Sequence, residues 1–341
     1  MAARELLKPL GVFVAVVLVV VAGTALAGFV FGSSGGDGAP DGEDIDGQAP
    51  AQYQPDNVAH DDDPENGTLA VDGGGEDRRV LVDTRHSNRF DGADVDPLVE
   101  ALVREGHAVD VGTEASGGGF ESGYTNATLQ RYDAMLVIAP TGSFSEREVT
   151  GLEAFTDGGG RLVVLGEPRQ FSGGGSLSSG SSVRPSADSL AAAYGLRVGS
   201  ETLYNLDDDA NDNNYESVYA TPSGGGTLTE GVDRLQFDAA GYVHTTGDAD
   251  ARTVARAVEG TRTLDRGRTG EYPVVARNGT FVLVADASFV ERSELYDADN
   301  ERFVGNLLSF LVSGDKPDDV PPTPASDGEG EGEGAGGDDG F

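Results

Sequence analysis

Ala134-Met-Leu-Val-Ile-Ala139, Ser145-Glu-Arg-Glu148-Val149 and Gly158-Gly-Gly-Arg-Leu-Val-Val-Leu-Gly166 follow one another along the chain. They spell a strand, a helix opened by a capping box and closed by glycines, and a second strand. Both strands are continuous apolar runs, the pattern of strands buried on two faces in a parallel sheet. The same rhythm extends upstream, with Val80-Leu-Val-Asp83 and His107-Ala-Val-Asp-Val111. Strand candidates thus begin near Val80, His107, Ala134 and Arg161, each 27 residues after the last. That spacing suits one βα unit per step. The first intervening helix places Val95, Leu98, Val99 and Leu102 on one stripe, with Gly106 as its stop. The expected fold class is therefore α/β, a parallel sheet with helices on both faces.

Further out the pattern weakens. Residues 170–229 read as Gly- and Ser-rich loops with one short helix, Ala187–Tyr194, stopped by Gly195. Val274–Ala276 and Phe281–Ala285 flank Arg-Asn-Gly-Thr, a strong hairpin signal. A last helix carries Val304, Leu307, Leu308 and Leu311 on its buried stripe. These elements delimit one α/β domain over 78–314. Before it, 32–77 reads as a disordered acidic stalk, and after it 315–341 reads as a disordered acidic tail, because neither has enough large apolar residues to offset ordering entropy.

Leu10–Phe31 is an uncharged apolar run long enough to cross a bilayer as a helix. Arg4 and Lys8 precede it, and the next Lys or Arg is Arg78. The bias predicts a signal anchor with residues 1–9 cytoplasmic and the main domain extracytoplasmic at the cell membrane. A cleaved signal peptide ending at Ala25-Leu-Ala27 is the alternative; the run continuing to Phe31 favours retention.

The chain has 59 acidic and 23 Lys or Arg residues, a net charge of −36, and its only lysines are Lys8 and Lys316. An acidic, Lys-poor surface keeps its hydration in concentrated salt, which screens its self-repulsion. This points to a halophilic protein of archaeal type. A nucleic-acid partner is not expected, since phosphate binding needs clustered bases. The absence of Cys excludes disulfides, thiolate metal sites and cysteine nucleophiles. Three sequons, at Asn66, Asn126 and Asn278, are glycosylation candidates on an exported chain.

Several segments carry a family resemblance. They are Asp83-Thr-Arg-His86-Ser-Asn88-Arg-Phe90, Ser145-Glu-Arg-Glu148, Gly158–Gly166, Phe281-Val-Leu-Val-Ala-Asp286-Ala-Ser288-Phe289 and Asn300-Glu-Arg-Phe303-Val-Gly-Asn306. Over Arg79–Leu311 the chain resembles an uncharacterised prokaryotic domain family with a class I glutamine-amidotransferase-like fold. That fold group also holds the auxiliary component of gliding-motility ABC transporters and an intraflagellar-transport subunit. The resemblance implies a flavodoxin-like α/β sandwich, no demonstrated enzymatic activity, and membrane-tethered relatives, some with a second span near the C-terminus; here the tail is expected to end free. Amidotransferases carry a Cys nucleophile in the turn where this chain has Gly166-Glu-Pro168, so that chemistry is excluded.

Candidate ligand-binding residues follow from the rule that open parallel sheets bind ligands beyond the carboxyl ends of their strands. They are Asp83, His86, Asn88 and Arg89 after the first strand, Thr141 after the third, Glu167 after the fourth, and Asp286 and Ser288 after the late strand. These residues could line one cleft, or serve as turn and cap residues. A hydrolase through Ser288, His86 and Asp286 lacks the Gly-x-Ser-x-Gly elbow. Asn205, Asp207, Asp209 and Glu216 imitate a calcium loop, although Ala210 replaces the sharp-turn glycine. No cofactor is otherwise expected. The leading expectation is a non-catalytic binding or assembly module in an envelope or transporter complex, and the alternative an envelope hydrolase of saccharides or esters.

Overall fold

The computed structural model describes residues 67–72, 75–112, 123–168, 186–224, 226–246 and 250–322. Leu10–Phe31, residues 32–66 of the expected stalk and 323–341 of the expected tail lie outside them, as does Asn66; the described remainders of stalk and tail pack on the domain instead, with Leu69, Val71 and Lys316 buried. Among the described residues no helix is long and apolar enough to cross a membrane.

The first half runs β1 (Arg79–Val82), α1 (Gly92–Arg104), β2 (Ala108–Val111), α2 (Asn126–Leu129), β3 (Ala134–Ile138), α3 (Glu146–Asp157) and β4 (Arg161–Leu165). Helix α1 starts at a capping box between Asp91 and Asp94. Helix α3 starts at another, in which Glu148 Oε2 accepts the Ser145 N–H at 2.9 Å. Each box satisfies amide groups that a helix start otherwise leaves open.

The second half runs α4 (Asp188–Ala191), β5 (Leu196–Val198), β6 (Leu203–Tyr204), β7 (Ser217–Pro222), β8 (Leu235–Asp238), β9 (Val243–Thr245), β10 (Arg252–Ala257), β11 (Arg262–Thr263), β12 (Pro273–Asn278), β13 (Phe281–Val284) and α5 (Asn300–Val312). One nine-stranded sheet has the order β2-β1-β3-β4-β13-β12-β10-β7-β8. Strands β2, β1, β3, β4 and β13 are mutually parallel. Strands β12, β10, β7 and β8 then continue antiparallel.

The fold is α/β, and the parallel sheet expected from the sequence carries an antiparallel extension of β12, β10, β7 and β8, of which β12 alone has a clear strand signal in the sequence. The β12–β13 hairpin closes as its Asn-Gly signal predicts, with Asn278 paired to Phe281 and Gly279 at φ +56°.

Side-chain alternation divides the core in two. Val80 and Val82 of β1 face α1 and α5, meeting Leu98, Leu102, Val304, Leu307 and Leu311. Leu81 points the other way, into a second core with Met135, Leu152, Phe155 and Leu190. Covering both faces removes apolar area from water at roughly 1.5–3 kcal/mol per large side chain. It also leaves the strand ends as the places where polar groups gather.

Candidate functional site

In the order β2-β1-β3-β4 the first crossover leaves β1 on one side and the next returns across it. The strand order therefore reverses between β1 and β3, where open α/β sheets form a crevice at their carboxyl ends.

Asp83, the residue after β1, is fully buried. Its Oδ1 accepts the Arg85 N–H at 2.9 Å and its Oδ2 lies 2.9 Å from His86 Nδ1. The Tyr124 hydroxyl donates to Oδ1 as well. Burial alone would raise the Asp83 carboxyl, but the hydrogen bond and charge of His86, with Tyr124 and the Arg85 amide, hold it below the usual range. Tyr124 is driven far above the ordinary phenol by burial and by Asp83.

The backbone around His86 is fastened to β3. Asn88 accepts the His86 N–H and donates to the Ile138 carbonyl at 2.8 Å. The N–H groups of Thr141 and Gly142 both donate to the His86 carbonyl, at 2.9 and 2.6 Å. A Cβ at Gly142 would stand 3.2 Å from that oxygen, so glycine permits the approach. Ser87 and Ala139 sit at φ +50° and +41° on the two sides of this junction. Non-glycine residues hold such backbone only where the surroundings enforce it.

The imidazole of His86 stacks on Phe144, with ring centroids 3.6 Å apart. Its Nε2 lies 3.6 Å from Glu148 Oε1. Glu148 is doubly used, because its other oxygen closes the α3 capping box. Burial raises its carboxyl, yet the Ser145 amide and hydroxyl and the nearby His86 bring it below the ordinary value. The result is a His anchored on one carboxylate and facing a second. They line a cleft of about 350 Å³ with Arg85, Ser143 and Arg147.

The other strand-end candidates form a separate group. Glu167 accepts the Ala287 N–H at 3.0 Å, and Ser288 Oγ donates to the Asp286 carboxylate at 2.9 Å. Asp286 is fully buried, and burial together with Glu167 raises its carboxyl well above the usual range. Burial likewise pushes Glu167 up to about 7. Arg89 faces this group, offsetting Glu167 and Glu291. Strands β1 and β13 are three strand spacings apart, about 14 Å at ~4.8 Å each.

The eight candidates thus do not line one cleft. Asp83, His86, Asn88 and Thr141 build the β1/β3 crevice, while Glu167, Asp286 and Ser288 with Arg89 lie beyond β4 and β13. Ser288, His86 and Asp286 do not meet as a nucleophile, base and orienting acid. Sequence reasoning missed Tyr124, Phe144, Glu148, Arg85 and Arg147. The capping-box Glu148 was visible, and its place just after the third strand was the clue to a second role.

In the acidic loop, Asn205 turns its side chain inward. Oδ1 accepts the Asp207 N–H at 3.1 Å, and Nδ2 donates to Glu259 O and Thr261 Oγ1 at 3.2 Å each. Asp207 and Asp209 are exposed, and Glu216 is partly so. Among the described residues no group of three or more His, Asp or Glu is placed to hold a metal ion. Of the sequons, Asn126 donates to Pro322 O at 3.2 Å and Asn278 to Tyr194 O at 2.9 Å.

Residues 97–308 match the profile of a family described as a domain of unknown function, DUF4350. The chain belongs to that family. No curated protein matches it. Among solved structures it is similar to the "mmIFT52 N-terminal domain", at 13% identity and a TM-score of 0.51, covering 70% of this chain and 98% of that one. It is also similar to a glutamine amidotransferase of Thermotoga maritima, at 11% identity and a TM-score of 0.36, covering 69% and 97%. The first likeness is one of fold alone, and the second carries no argument about this chain.

Proposed function

We propose that this DUF4350 protein is a non-catalytic binding or assembly module. Leu10–Phe31 anchors it in the cell membrane, the main domain is extracytoplasmic, and its site is the His86 cleft. The observation that carries this reading is the state of that cleft. His86 is rigidly placed by Asp83 and Phe144, and the group nearest its free nitrogen is the carboxylate of Glu148. That carboxylate gives the imidazole no hydroxyl or thiol to activate, and with the ring it offers a ligand a fixed pair of polar groups. Ser145 is occupied as the α3 cap, and Ser143 makes no hydrogen bond to the ring. The complete lack of Cys removes the nucleophile of the amidotransferase-like fold. Arg85 and Arg147 give the cleft mouth positive charge in an acidic domain, which suits an acidic or polar group on an envelope partner.

The test is affinity capture of the full chain from detergent-solubilised membranes at high salt, comparing wild type with Arg147→Glu. Stoichiometric subunits that accompany the wild type and are lost in the variant are expected. Turnover of chromogenic esters or glycosides by the purified chain, abolished by Ser143→Ala or His86→Ala, would overturn the reading in favour of a hydrolase.

A further inference from the structure

At the opposite end of the sheet from the His86 cleft, three arginines converge in a domain that is otherwise strongly acidic. Arg161 opens β4, Arg277 lies near the end of β12, and Arg252 opens β10 directly opposite Arg277 in the strand register. Arg161 and Arg277 both lie over the ring of Phe310 on α5, at 4.8 and 4.7 Å from its centroid. Like charges facing one another across strands are destabilising. The repulsion is felt here: after burial, Arg277 lowers Arg161, and Arg252 lowers Arg277.

Compensation from acids is missing. Arg78, Arg79, Arg104, Arg256 and Arg266 each pair with a carboxylate within 4.0 Å. Arg161, Arg252 and Arg277 do not among the described residues, although the chain has more than two acids for every base. Arg277 Nε donates to the Gly279 carbonyl, and Arg161 Nε is buried with no acceptor. A buried donor left open carries a desolvation cost of about 1–3 kcal/mol.

Beside the arginines lies a cleft of about 700 Å³. Arg252 and Arg277 form one wall, and Ser223, Thr227, Thr229 and Asn278 add hydroxyl and amide groups. Gly224 and Gly226 have no atoms within 4 Å of a would-be Cβ, so this rim is open. Among the described residues, Asp250, exposed, is the one carboxylate on the wall.

We propose that this cleft binds a small-molecule phosphate or sulfate ester, its tetrahedral oxyanion held by Arg252 and Arg277 and its hydroxylated body by the Ser/Thr rim. Guanidinium groups match such oxyanions in bidentate geometry. The oxyanion offsets the like charges of a cluster with which no carboxylate among the described residues pairs. Phosphate and sulfate esters share this chemistry, and the experiment separates them.

The experiment is calorimetric titration of the full chain in detergent, at ionic strength fixed with KCl, because screening alone changes an acidic protein. The probes are glucose 6-phosphate, glucose 6-sulfate and glucose. Saturable binding of one ester and not of glucose is expected, weakened at least tenfold by Arg252→Gln and by Arg277→Gln. Arg147→Gln, in the His86 cleft, leaves it unchanged. Arg252 is exposed and unpaired, so its variant keeps the fold. The proposal is overturned if neither ester saturates below 10 mM, a bound well above millimolar sites. It is equally overturned if Arg252→Gln leaves the affinity intact, or if Arg147→Gln weakens it as much.

Discussion

Gly305, in the middle of α5, sets two physical rules against each other. Replacing a mid-helix glycine by alanine ordinarily stabilises a helix by about 1 kcal/mol. Here a Cβ would stand 2.3 Å from the carbonyl oxygen of Ala70, in the strap of residues 67–72 that crosses the helix. A comfortable carbon–oxygen contact is about 3.3–3.6 Å, so the strap must retreat by about 1 Å. Leu69 and Val71 of the strap are buried against the core. The strap is also tied by Asp72 N–H to Ser309 Oγ at 2.8 Å and by Arg104 to the Leu69 carbonyl. Dislodging one such side chain costs about 1.5–3 kcal/mol, more than the helix gains. Gly305→Ala is therefore expected to destabilise the domain by about 1–2 kcal/mol. Urea denaturation followed by far-UV circular dichroism at constant high salt measures it. The companion variant Leu69→Asp releases the strap beforehand, and in that background Gly305→Ala should recover the ordinary gain. If Gly305→Ala alone raises the midpoint, the strap is not pressed against the helix and the reasoning fails.

Asn300, fully buried at the start of α5, accepts the Gln236 N–H at 3.1 Å and donates to the carbonyls of Gln236 and Glu294 at 3.0 and 2.9 Å. Asn300→Ala strips three buried partners and should cost about 3 kcal/mol or more in denaturant unfolding; a loss below ~1 kcal/mol would show that water replaces the amide. Glu167 and Glu294 are each pushed up to about 7 by burial. Their folded pKa values exceed the unfolded ones, so the folded state holds more protons between about pH 4.5 and 7 and stability should fall as pH rises through that window. Asp83 acts oppositely: its lowered carboxyl stabilises above the ordinary value of 3.8 and loses that effect as pH falls through its folded pKa. Melting temperature should fall as pH rises from about 4.5 to about 7, and Glu167→Gln should flatten that fall; an unchanged slope would refute the assignment. Gly142→Ala, its Cβ 3.2 Å from the His86 carbonyl, should loosen the β1/β3 junction by about 1–2 kcal/mol and speed amide exchange at Thr141; exchange no faster than in wild type would mean the loops absorb the methyl freely.

What could be read in the sequence was whatever repeats or caps itself. The 27-residue rhythm located β1, β3 and β4, Asn-Gly marked the last hairpin, and Ser145 with Glu148 marked the start of α3. Strands β7, β8 and β10 escaped because their apolar signal is diluted. Strand β8 reads Leu-Gln-Phe-Asp, and its Gln236 is buried only because Glu294 and Asp297 accept its amide. Strand β10 carries arginines at both ends of a short run. The site was half legible: Asp83 and His86 stand out as polar residues closing an apolar strand. Tyr124 and Phe144 join them from segments far along the chain, and only the packing of the two sheet faces reveals that. Several residues that carry the family resemblance prove architectural: Asn300 pins β8, Gly305 admits the strap, and Asn306 donates to the Leu228 and Glu230 carbonyls.

The insertion of β13 between β4 and β12 has a consequence for how the chain matures. Strand β4 is finished at Leu165, yet its outer edge is completed only by Phe281–Val284, after everything between them has emerged. Until then a run of Leu, Val, Val and Leu presents unpaired amides to its neighbours, the kind of edge on which chains stick together. Such a long-range closure is slow. The excess of acids over the whole chain, a net charge of −36, works against such sticking while that gap in the sheet waits to be filled.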